Sequence, residues 1–451
     1  MNDGTIVAVA TPAGSGGLAV VRLSGPDAVA VARRVLRSRR FAAGPVSHTA
    51  AAGVLHHPDD PAREIDRCLA LTLLAPRSYT GEDTVEFFLH GGRAVVRLAV
   101  AACRAAGAVP AGPGEFTRRA FLNGKLSLDQ AEAVADLIAA EGEQAARGAL
   151  NQLRGGLMRE LAAVEAPLLD LLARLEGSLE FLDEEDAGPA RGAVAAELAD
   201  AVAGIDRLLA MAPAGRLLRD GVQVVLAGPV NAGKSALFNA LVEDERAIVD
   251  EEAGTTRDVV SARVVRGGTV YVLHDTAGLR DEPGRIEGKG IARTRQQLAA
   301  ADIVLAVGDG AAGPGADAAG AAGAAAGAVI TVRSKSDLGG AVPAGAIATS
   351  ALTGEGVAAL WSAIGTAVTK LRLGEAVALG VVLNERHAAR LTECRRELAE
   401  LAELAADQKG AGDEVLASML ASILGRLGEV SGRVFSEQLL YTVFNKFCVG
   451  K

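Results

Sequence analysis

Residues 228–235, Gly228-Pro229-Val230-Asn231-Ala232-Gly233-Lys234-Ser235, constrain the chain more than any other stretch. They fit G-x-x-x-x-G-K-[ST], follow the apolar run Val222–Ala227 and open a helix-forming segment at Ala236–Val242. A strand, a glycine-rich turn and a helix in that order bring backbone N–H groups and the positive end of a helix to bear on phosphates. Lys234 is placed to reach the β- and γ-phosphates, and Ser235 to ligate Mg²⁺. The turn therefore predicts a P-loop α/β domain of Ras-like type.

Four further elements follow in the order such a domain needs. Gly254-Thr255-Thr256-Arg257-Asp258 stands at the distance of a first switch, with Thr256 offering a hydroxyl to Mg²⁺. Asp275-Thr276-Ala277-Gly278 follows the run Val270–His274, Asp275 serving the metal through water and the Gly278 N–H facing the γ-phosphate. Ser334-Lys335-Ser336-Asp337 follows Val329–Val332. Asp337 can accept from guanine N1–H and the 2-amino group, a donor pair that adenine lacks, and Lys335 can lay its stem along the base. Ser350-Ala351 follows Ala346–Thr349 and closes on the guanine oxygen. The nucleotide set is Asn231, Ala232, Gly233, Lys234, Ser235, Ala236, Asp250, Glu251, Glu252, Ala253, Gly254, Thr255, Thr256, Asp275, Thr276, Ala277, Gly278, Lys335, Asp337, Ser350, Ala351 and Leu352. Ser334 stands where the guanine motif usually has Asn. A serine is too short to bridge base and P-loop, so guanine binding is expected to be weaker by about 1 kcal/mol but still selective.

The hydrolytic parts are less plain. The residue after D-x-x-G, often a water-orienting Gln, is Leu279. Glu287 is the candidate in its place, against the plainer reading of a solvent-exposed carboxylate on a loop. Arg257 and Arg280 are available to neutralise charge on the transferred phosphate, and Asn231 offers a carbonyl oxygen to a monovalent cation.

Around this unit, 451 residues suggest two to four domains. Residues 1–120 mix strand-like runs (Thr5–Ala10, Leu18–Leu23, Cys68–Leu74, Val85–Leu89) with a helix at Ala94–Ala106, an α+β pattern. His56-His57 reads as a surface turn before Pro58. Residues 117–182 carry apolar residues at helical spacing and end at the acidic run 183–186, read as a solvated turn. Residues 310–328 are almost all Ala and Gly, where a crossover helix should lie. Leu391, Cys394, Leu398, Leu401 and Ala405 form a heptad-like seam in a second helical stretch, 384–445. Helices on both sides of an α/β unit suggest one helical domain with the nucleotide domain inserted. With aromatics at 3%, the cores must be Ala, Val and Leu.

Four well-separated cysteines, Cys68, Cys103, Cys394 and Cys448, fit reduced thiols rather than disulfides or zinc. Arg97 and Arg104 interrupt the most apolar N-terminal run, so neither a leader peptide nor a spanning helix is read, and a soluble cytoplasmic protein is expected. A net charge of −9 argues against tight nonspecific nucleic-acid binding, leaving RNA to a local basic patch or a partner.

Three stretches outside the nucleotide motifs carry a family resemblance. They are Thr5-Ile6-Val7-Ala8 with Gly16-Gly17 and Val21-Arg22-Leu23-Ser24-Gly25; Gly114 to Lys125 with Gln130-Ala131-Glu132-Ala133; and the final Phe447-Cys448-Val449-Gly450-Lys451. Over essentially its whole length the chain resembles the MnmE (TrmE) family of tRNA-modification GTPases. The resemblance implies an N-terminal folate-binding and dimerising domain (1–119), a discontinuous all-α helical domain (120–214 and 376–451) and the inserted G domain (215–375). It implies a homodimer whose GTPase is stimulated by K⁺ when two G domains meet, with K⁺ held by Asn231, Asp250, Glu252 and Thr255. Asp250 and Glu252 depart from the Thr and aliphatic residue frequent in the family. Glu287 falls on the family's catalytic glutamate, Cys448 on its proposed catalytic thiol, and Arg22, Glu82, Lys125 and Lys451 on its 5-formyl-tetrahydrofolate site. The implied reaction forms an aminomethyl or carboxymethylaminomethyl group at C5 of wobble uridine 34 in certain tRNAs. It is shared with a MnmG-type FAD- and NADH-dependent subunit, in a heterotetramer.

Rival readings remain at this level. A ribosome-assembly GTPase would share residues 222–370 but would usually add a basic RNA-binding module, which the sequence does not display. A nucleotide-switched dimeriser would need no folate, and a folate-dependent transferase would leave the nucleotide motifs unexplained.

Overall fold

The computed structural model describes residues 4–180, 189–243, 247–248, 260–275, 297–309, 327–407 and 412–451. The chain divides into two compact units, Met1–Ala135 with Gly428–Lys451, and Asp136–Leu427.

The first unit is built on a sheet of β1 (Ile6–Val9), β2 (Gly16–Ser24), β3 (Leu36–Arg37), β4 (Thr49–His57), β5 (Asp60–Leu73), β6 (Thr84–Gly91) and β7 (Val109–Pro110), in the order β3-β4-β5-β6-β2-β1-β7. Pairing is antiparallel except between β1 and β7. Alternate residues of the central strands (Val21, Leu23, Phe87, Leu89) point to one face. There they meet Val31 and Val35 of the helix Ala28–Val35, and Ala99, Ala102 and Cys103 of the helix Arg93–Ala105. The strands expected at Thr5–Ala10, Leu18–Leu23 and Val85–Leu89 and the helix at Ala94–Ala106 all form. His56-His57 is not a surface turn. Both residues end β4, and His56 is buried, because β4 and β5 pair through a hairpin that turns only at Pro58-Asp59.

The C-terminal residues belong to this unit. Phe121, Phe435, Phe444 and Phe447 form a chain of ring contacts at 5.1–6.4 Å. Beyond them Val449 bridges Pro113, and the Phe116 N–H donates to the Lys451 carbonyl. Gly450, at φ +100°, lies against β1. A Cβ there would sit 2.0 Å from the Val9 carbonyl oxygen, so no other residue fits the turn.

The second unit holds a sheet in the order β14-β13-β12-β8-β11-β10-β9. Its strands are β8 (Val222–Ala227), β9 (Ala247–Ile248), β10 (Val260–Arg266), β11 (Thr269–Asp275), β12 (Ile303–Gly308), β13 (Ala328–Arg333) and β14 (Ile347–Ala348). The apolar runs Val222–Ala227, Val270–His274, Ile303–Val307, Val329–Val332 and Ala346–Thr349 of the sequence pair in parallel, as β11-β8-β12-β13-β14. The antiparallel edge of β10 and β9 has no apolar run to mark it, because Arg263 and Arg266 break the pattern of β10 and β9 is only two residues long.

Helices fill the rest of the unit. The expected helical stretch from 117 to 182 appears as Glu115–Leu122, Leu128–Ala139, Glu143–Leu153 and Gly156–Glu180, the first lying in the N-terminal unit and the second meeting the unit boundary. The seam Leu391, Cys394, Leu398, Leu401 and Ala405 lies in the helix Glu385–Ala406, every member no more than 1% exposed. It packs on the helix Arg191–Leu209, to which Arg395 is tied by a bidentate pair with Asp206. Asn384 caps the seam helix, accepting from the His387 N–H at 2.8 Å. The acidic run 183–186 and most of the Ala/Gly stretch 310–328 lie outside the described residues.

Candidate functional site

The P-loop leaves β8 between two other strands. Gly228 passes so close to β12 that a Cβ would lie 2.1 Å from the Val307 carbonyl oxygen. Asn231 takes a left-handed turn at φ +62°, and Ala232 and Lys234 are buried. Lys234 starts the helix Lys234–Glu243, its ammonium donating to the carbonyls of Gly228 at 3.1 Å and Pro229 at 2.8 Å. The cation is thus folded back over its own loop, where phosphate oxygens are the better partners. The Ser235 hydroxyl donates to Asp275 Oδ2 at 2.5 Å. Asp275 is buried at the end of β11, so hydroxyl and carboxylate converge as a pair of oxygen groups of the kind that suits a hard divalent cation.

The second half of the site comes from the ends of β13 and β14. Ser334 is buried, and its hydroxyl donates to the Ala232 carbonyl at 2.5 Å, with the Gly308 carbonyl at 3.2 Å. The short side chain therefore reaches the P-loop, one end of the bridge that the usual Asn makes, because β13 carries Ser334 directly under the loop. Lys335, at φ +55°, extends its ammonium to the Asn231 carbonyl at 2.7 Å and lies 3.5 Å from Asp309. Asp309 was not read from the sequence; its only signal is its place after β12. Asp337 is exposed, and its Oδ1 accepts from the Ser350 hydroxyl at 2.6 Å. The loop beyond is closed by Gly354 N–H to the Ser350 carbonyl at 2.9 Å, with Ala351 half-buried and Leu352 86% exposed. Asn231, Ser235 and Ala236 are exposed along the P-loop, and Gly233 is half-buried.

Asp250, Glu251, Glu252, Ala253, Gly254, Thr255, Thr256, Arg257, Thr276, Ala277, Gly278, Arg280 and Glu287 lie outside the described residues.

A second constellation occupies the N-terminal unit. Arg22 pairs with Glu86 at 2.7 Å, its guanidinium 5.5 Å from the Phe116 ring centre and 5.8 Å from that of Tyr79. Glu82 accepts from Ser24 at 2.8 Å and from Arg119 on both oxygens, at 3.1 and 3.2 Å. Lys125 donates to the Pro76 carbonyl at 3.0 Å, its stem passing Gly81. Lys451 meets the same neighbourhood through its bond from Phe116. Arg22, Glu82, Lys125 and Lys451, from four parts of the chain, are thus linked through shared neighbours: the Phe116 ring lies by Arg22 and its N–H meets the Lys451 carbonyl, and Gly81, next to Glu82, touches the Lys125 stem. Sequence reading missed their supports, Glu86, Tyr79, Phe116 and Arg119; Phe116 and Arg119 stand in the stretch Gly114 to Lys125, but nothing there marks them as the neighbours of Arg22 and Glu82.

Of the cysteines, Cys68, Cys103 and Cys394 are buried and Cys448 is exposed. Burial pushes the thiols of Cys68 and Cys103 up to about 12.

Two family models cover most of the chain: the GTP-binding protein TrmE N-terminus matches residues 5–125, and the MnmE helical domain matches residues 128–448. The chain belongs to the MnmE family of tRNA modification GTPases. Among its relatives, the tRNA modification GTPase MnmE of Symbiobacterium thermophilum is 41% identical, with both chains covered completely. That of Parvibaculum lavamentivorans is 42% identical over 99% of this chain and 100% of its own. Among solved structures, the G domain of the T. maritima FeoB iron transporter aligns with 33% of this chain and 98% of its own, at 23% identity and a TM-score of 0.27. Like other MnmE proteins the chain is a GTP-binding GTP hydrolase, and its fold joins an N-terminal α+β domain, a helical domain and a P-loop α/β G domain. Among the described residues, no helix is long and apolar enough to cross a membrane.

Proposed function

We propose that this MnmE-family GTPase acts on tRNA. It installs the aminomethyl or carboxymethylaminomethyl group at C5 of the wobble uridine, position 34, together with a MnmG-type subunit that brings FAD and NADH. The observation carrying this reading is the coexistence of the P-loop site with the gathered set Arg22, Glu82, Lys125 and Lys451 in the N-terminal unit. A ribosome-assembly GTPase has no use for that set. The proposed domains are 1–119, 120–214, 215–375 and 376–451, the protein is cytoplasmic, and it works as a homodimer and in a heterotetramer with the partner.

In the G domain, Lys234 exchanges its two loop carbonyls for phosphate oxygens. Ser235, with Thr256 and the neighbouring Asp275, suits Mg²⁺, which supplies charge neutralisation on the phosphates. Asn231, Asp250, Glu252 and Thr255 would hold K⁺, which supplies a further positive charge beside them; Asn231 is exposed beside the phosphate loop, as that role requires. Asp337, steadied on one oxygen by Ser350, accepts from the guanine edge. Lys335 and Ser334 bind the P-loop backbone, so closure on the base also stiffens the phosphate cradle. Glu287 orients the attacking water, with Arg257 and Arg280 available to the transferred phosphate.

In the N-terminal unit, the Glu82 carboxylate suits the amino-pyrimidinone edge of a 5-formyl-tetrahydrofolate. Arg22, Lys125 and Lys451 suit its anionic end, and the folate supplies the one-carbon unit when bound. Cys448, exposed at the C-terminus, is accessible for a nucleophilic role.

The GTPase rate in K⁺ against Na⁺, for the wild type and Asn231→Ala, tests the cation mechanism. The expected result is a K⁺-stimulated wild type and a K⁺-insensitive variant. Titration with 5-formyl-tetrahydrofolate tests the N-terminal site, and loss of binding in Glu82→Gln is expected. A wild type indifferent to both K⁺ and folate would reduce the chain to a plain GTPase.

A further inference from the structure

The overall charge of −9 conceals an uneven distribution. The unit of residues 136–427 carries 28 Lys and Arg against 41 Asp and Glu, whereas the N-terminal unit carries 18 against 14 and is net basic. Within that basic unit the imbalance is local. Residues 28–58 contain five arginines and no acidic residue, and residues 87–114 contain three arginines and none. These segments supply the two helices, Ala28–Val35 and Arg93–Ala105, that cover one face of the N-terminal sheet.

The helices bury Val31, Ala32, Val35, Ala99, Ala102 and Cys103 against the strands, which turns their charged residues outward. Arg33 and Arg34 of the first helix and Arg97 and Arg104 of the second are exposed, as are Arg39 and Arg40 of the short helix Arg39–Ala42 that follows β3. Arg34 donates to the Ala106 carbonyl at 3.0 Å, which joins the C-terminal ends of the two helices and makes their outer faces continuous. Arg37, between the clusters, is held by Glu64. Among the described residues, Arg33, Arg39, Arg40, Arg97 and Arg104 have no acidic partner. The like charges repel one another, and a polyanion relieves that repulsion.

We propose that this arginine-covered helix layer is the surface on which the chain holds the phosphodiester backbone of a folded RNA. It is the kind of local basic patch that a net acidic chain needs for RNA, and its arginines come from two separate segments that only the fold brings side by side. Arginine suits phosphate through paired N–H donors and stays charged at every relevant pH. An anionic membrane would also attract the charge, but interfacial binding needs apolar side chains to insert, and no large apolar residue of 28–42 or 93–105 is exposed. The proposal rests on the reading that tRNA is the substrate and adds where the chain grips it.

The test is fluorescence anisotropy of labelled, unmodified tRNA with the full-length protein at low and at moderate salt, for the wild type, for Arg33→Gln/Arg39→Gln/Arg40→Gln/Arg97→Gln and for the same four positions changed to Lys. The Gln variant is expected to bind at least about 10-fold more weakly at low salt. Its slope of log affinity against log salt should be shallower by about 0.7–0.9 for each phosphate that is no longer neutralised. The Lys variant should keep most of the affinity, and GTPase activity, measured on the same preparations, should be unchanged in both. Equal affinity and slope in wild type and Gln variant, with tRNA bound by both, overturns this surface and leaves the tRNA reading intact. A wild type that binds no tRNA overturns both. Charge-dependent binding to vesicles containing phosphatidylserine, with tRNA unbound, overturns the RNA proposal and assigns the surface to a membrane instead.

Discussion

Ser334 and Ala232 lie 102 residues apart and are joined by a hydrogen bond of 2.5 Å from hydroxyl to carbonyl. The bond ties the strand end that carries Lys335 and Asp337 to the P-loop. A residue that looked like a loss in the guanine motif is thus a brace of the P-loop. Ser334→Ala is expected to weaken GDP and GTP binding about five-fold, since a hydrogen bond to a buried carbonyl is worth about 1 kcal/mol. Calorimetric titration of both nucleotides checks this, and unchanged affinity would show the brace to be idle.

Gly228 is a steric requirement. Its Cβ position lies 2.1 Å from the Val307 carbonyl oxygen on the neighbouring strand, so Gly228→Ala must push β8 and β12 apart. A loss of about 1–3 kcal/mol is expected, with collapse of nucleotide affinity. Thermal denaturation with and without GDP reads both. A variant as stable as the wild type would mean that the strands yield without cost.

The cysteines divide by burial. Cys68 and Cys103, their thiols pushed up to about 12, and the buried Cys394 should resist Ellman's reagent under mildly alkaline conditions, and exposed Cys448 should react. One fast thiol per native chain and four after denaturation are expected. The sign for stability follows from the two shifted thiols. Unfolded thiols deprotonate near 9 and the folded ones near 12, so their contribution is intact below pH 9 and lost as pH rises through that window.

Arg119 lies between two carboxylates, bonded to both oxygens of Glu82 and, at 3.0 Å, to Glu115. Arg119→Gln removes the positive charge and leaves the acids facing each other. The site is only partly shielded, so a loss of about 2 kcal/mol in the N-terminal unit is expected, between the values for exposed and buried pairs. Denaturant unfolding followed by a probe in that unit measures it, and Arg119→Lys should recover part of the loss. No change in the Gln variant would mean that solvent already screens the pair.

The local parts of this protein were legible along the chain. Four apolar runs, each followed by a turn of special chemistry, specified most of the parallel strands and the order of the nucleotide motifs, because strand burial and phosphate cradling both need fixed residue types at fixed short spacing. The seam from Leu391 to Ala405 was legible for the same reason, a helical period within one segment. What distant segments do together came from the folded arrangement alone. It set Ser334 under Ala232, Arg119 on Glu82, the C-terminal Lys451 beside Phe116, and the arginines of two separate helices on one outer face. It also buried His56, whose strand could be identified only through its pairing with β5. Such contacts depend on which strands become neighbours and on the direction each side chain takes from them, and no spacing along the chain encodes either.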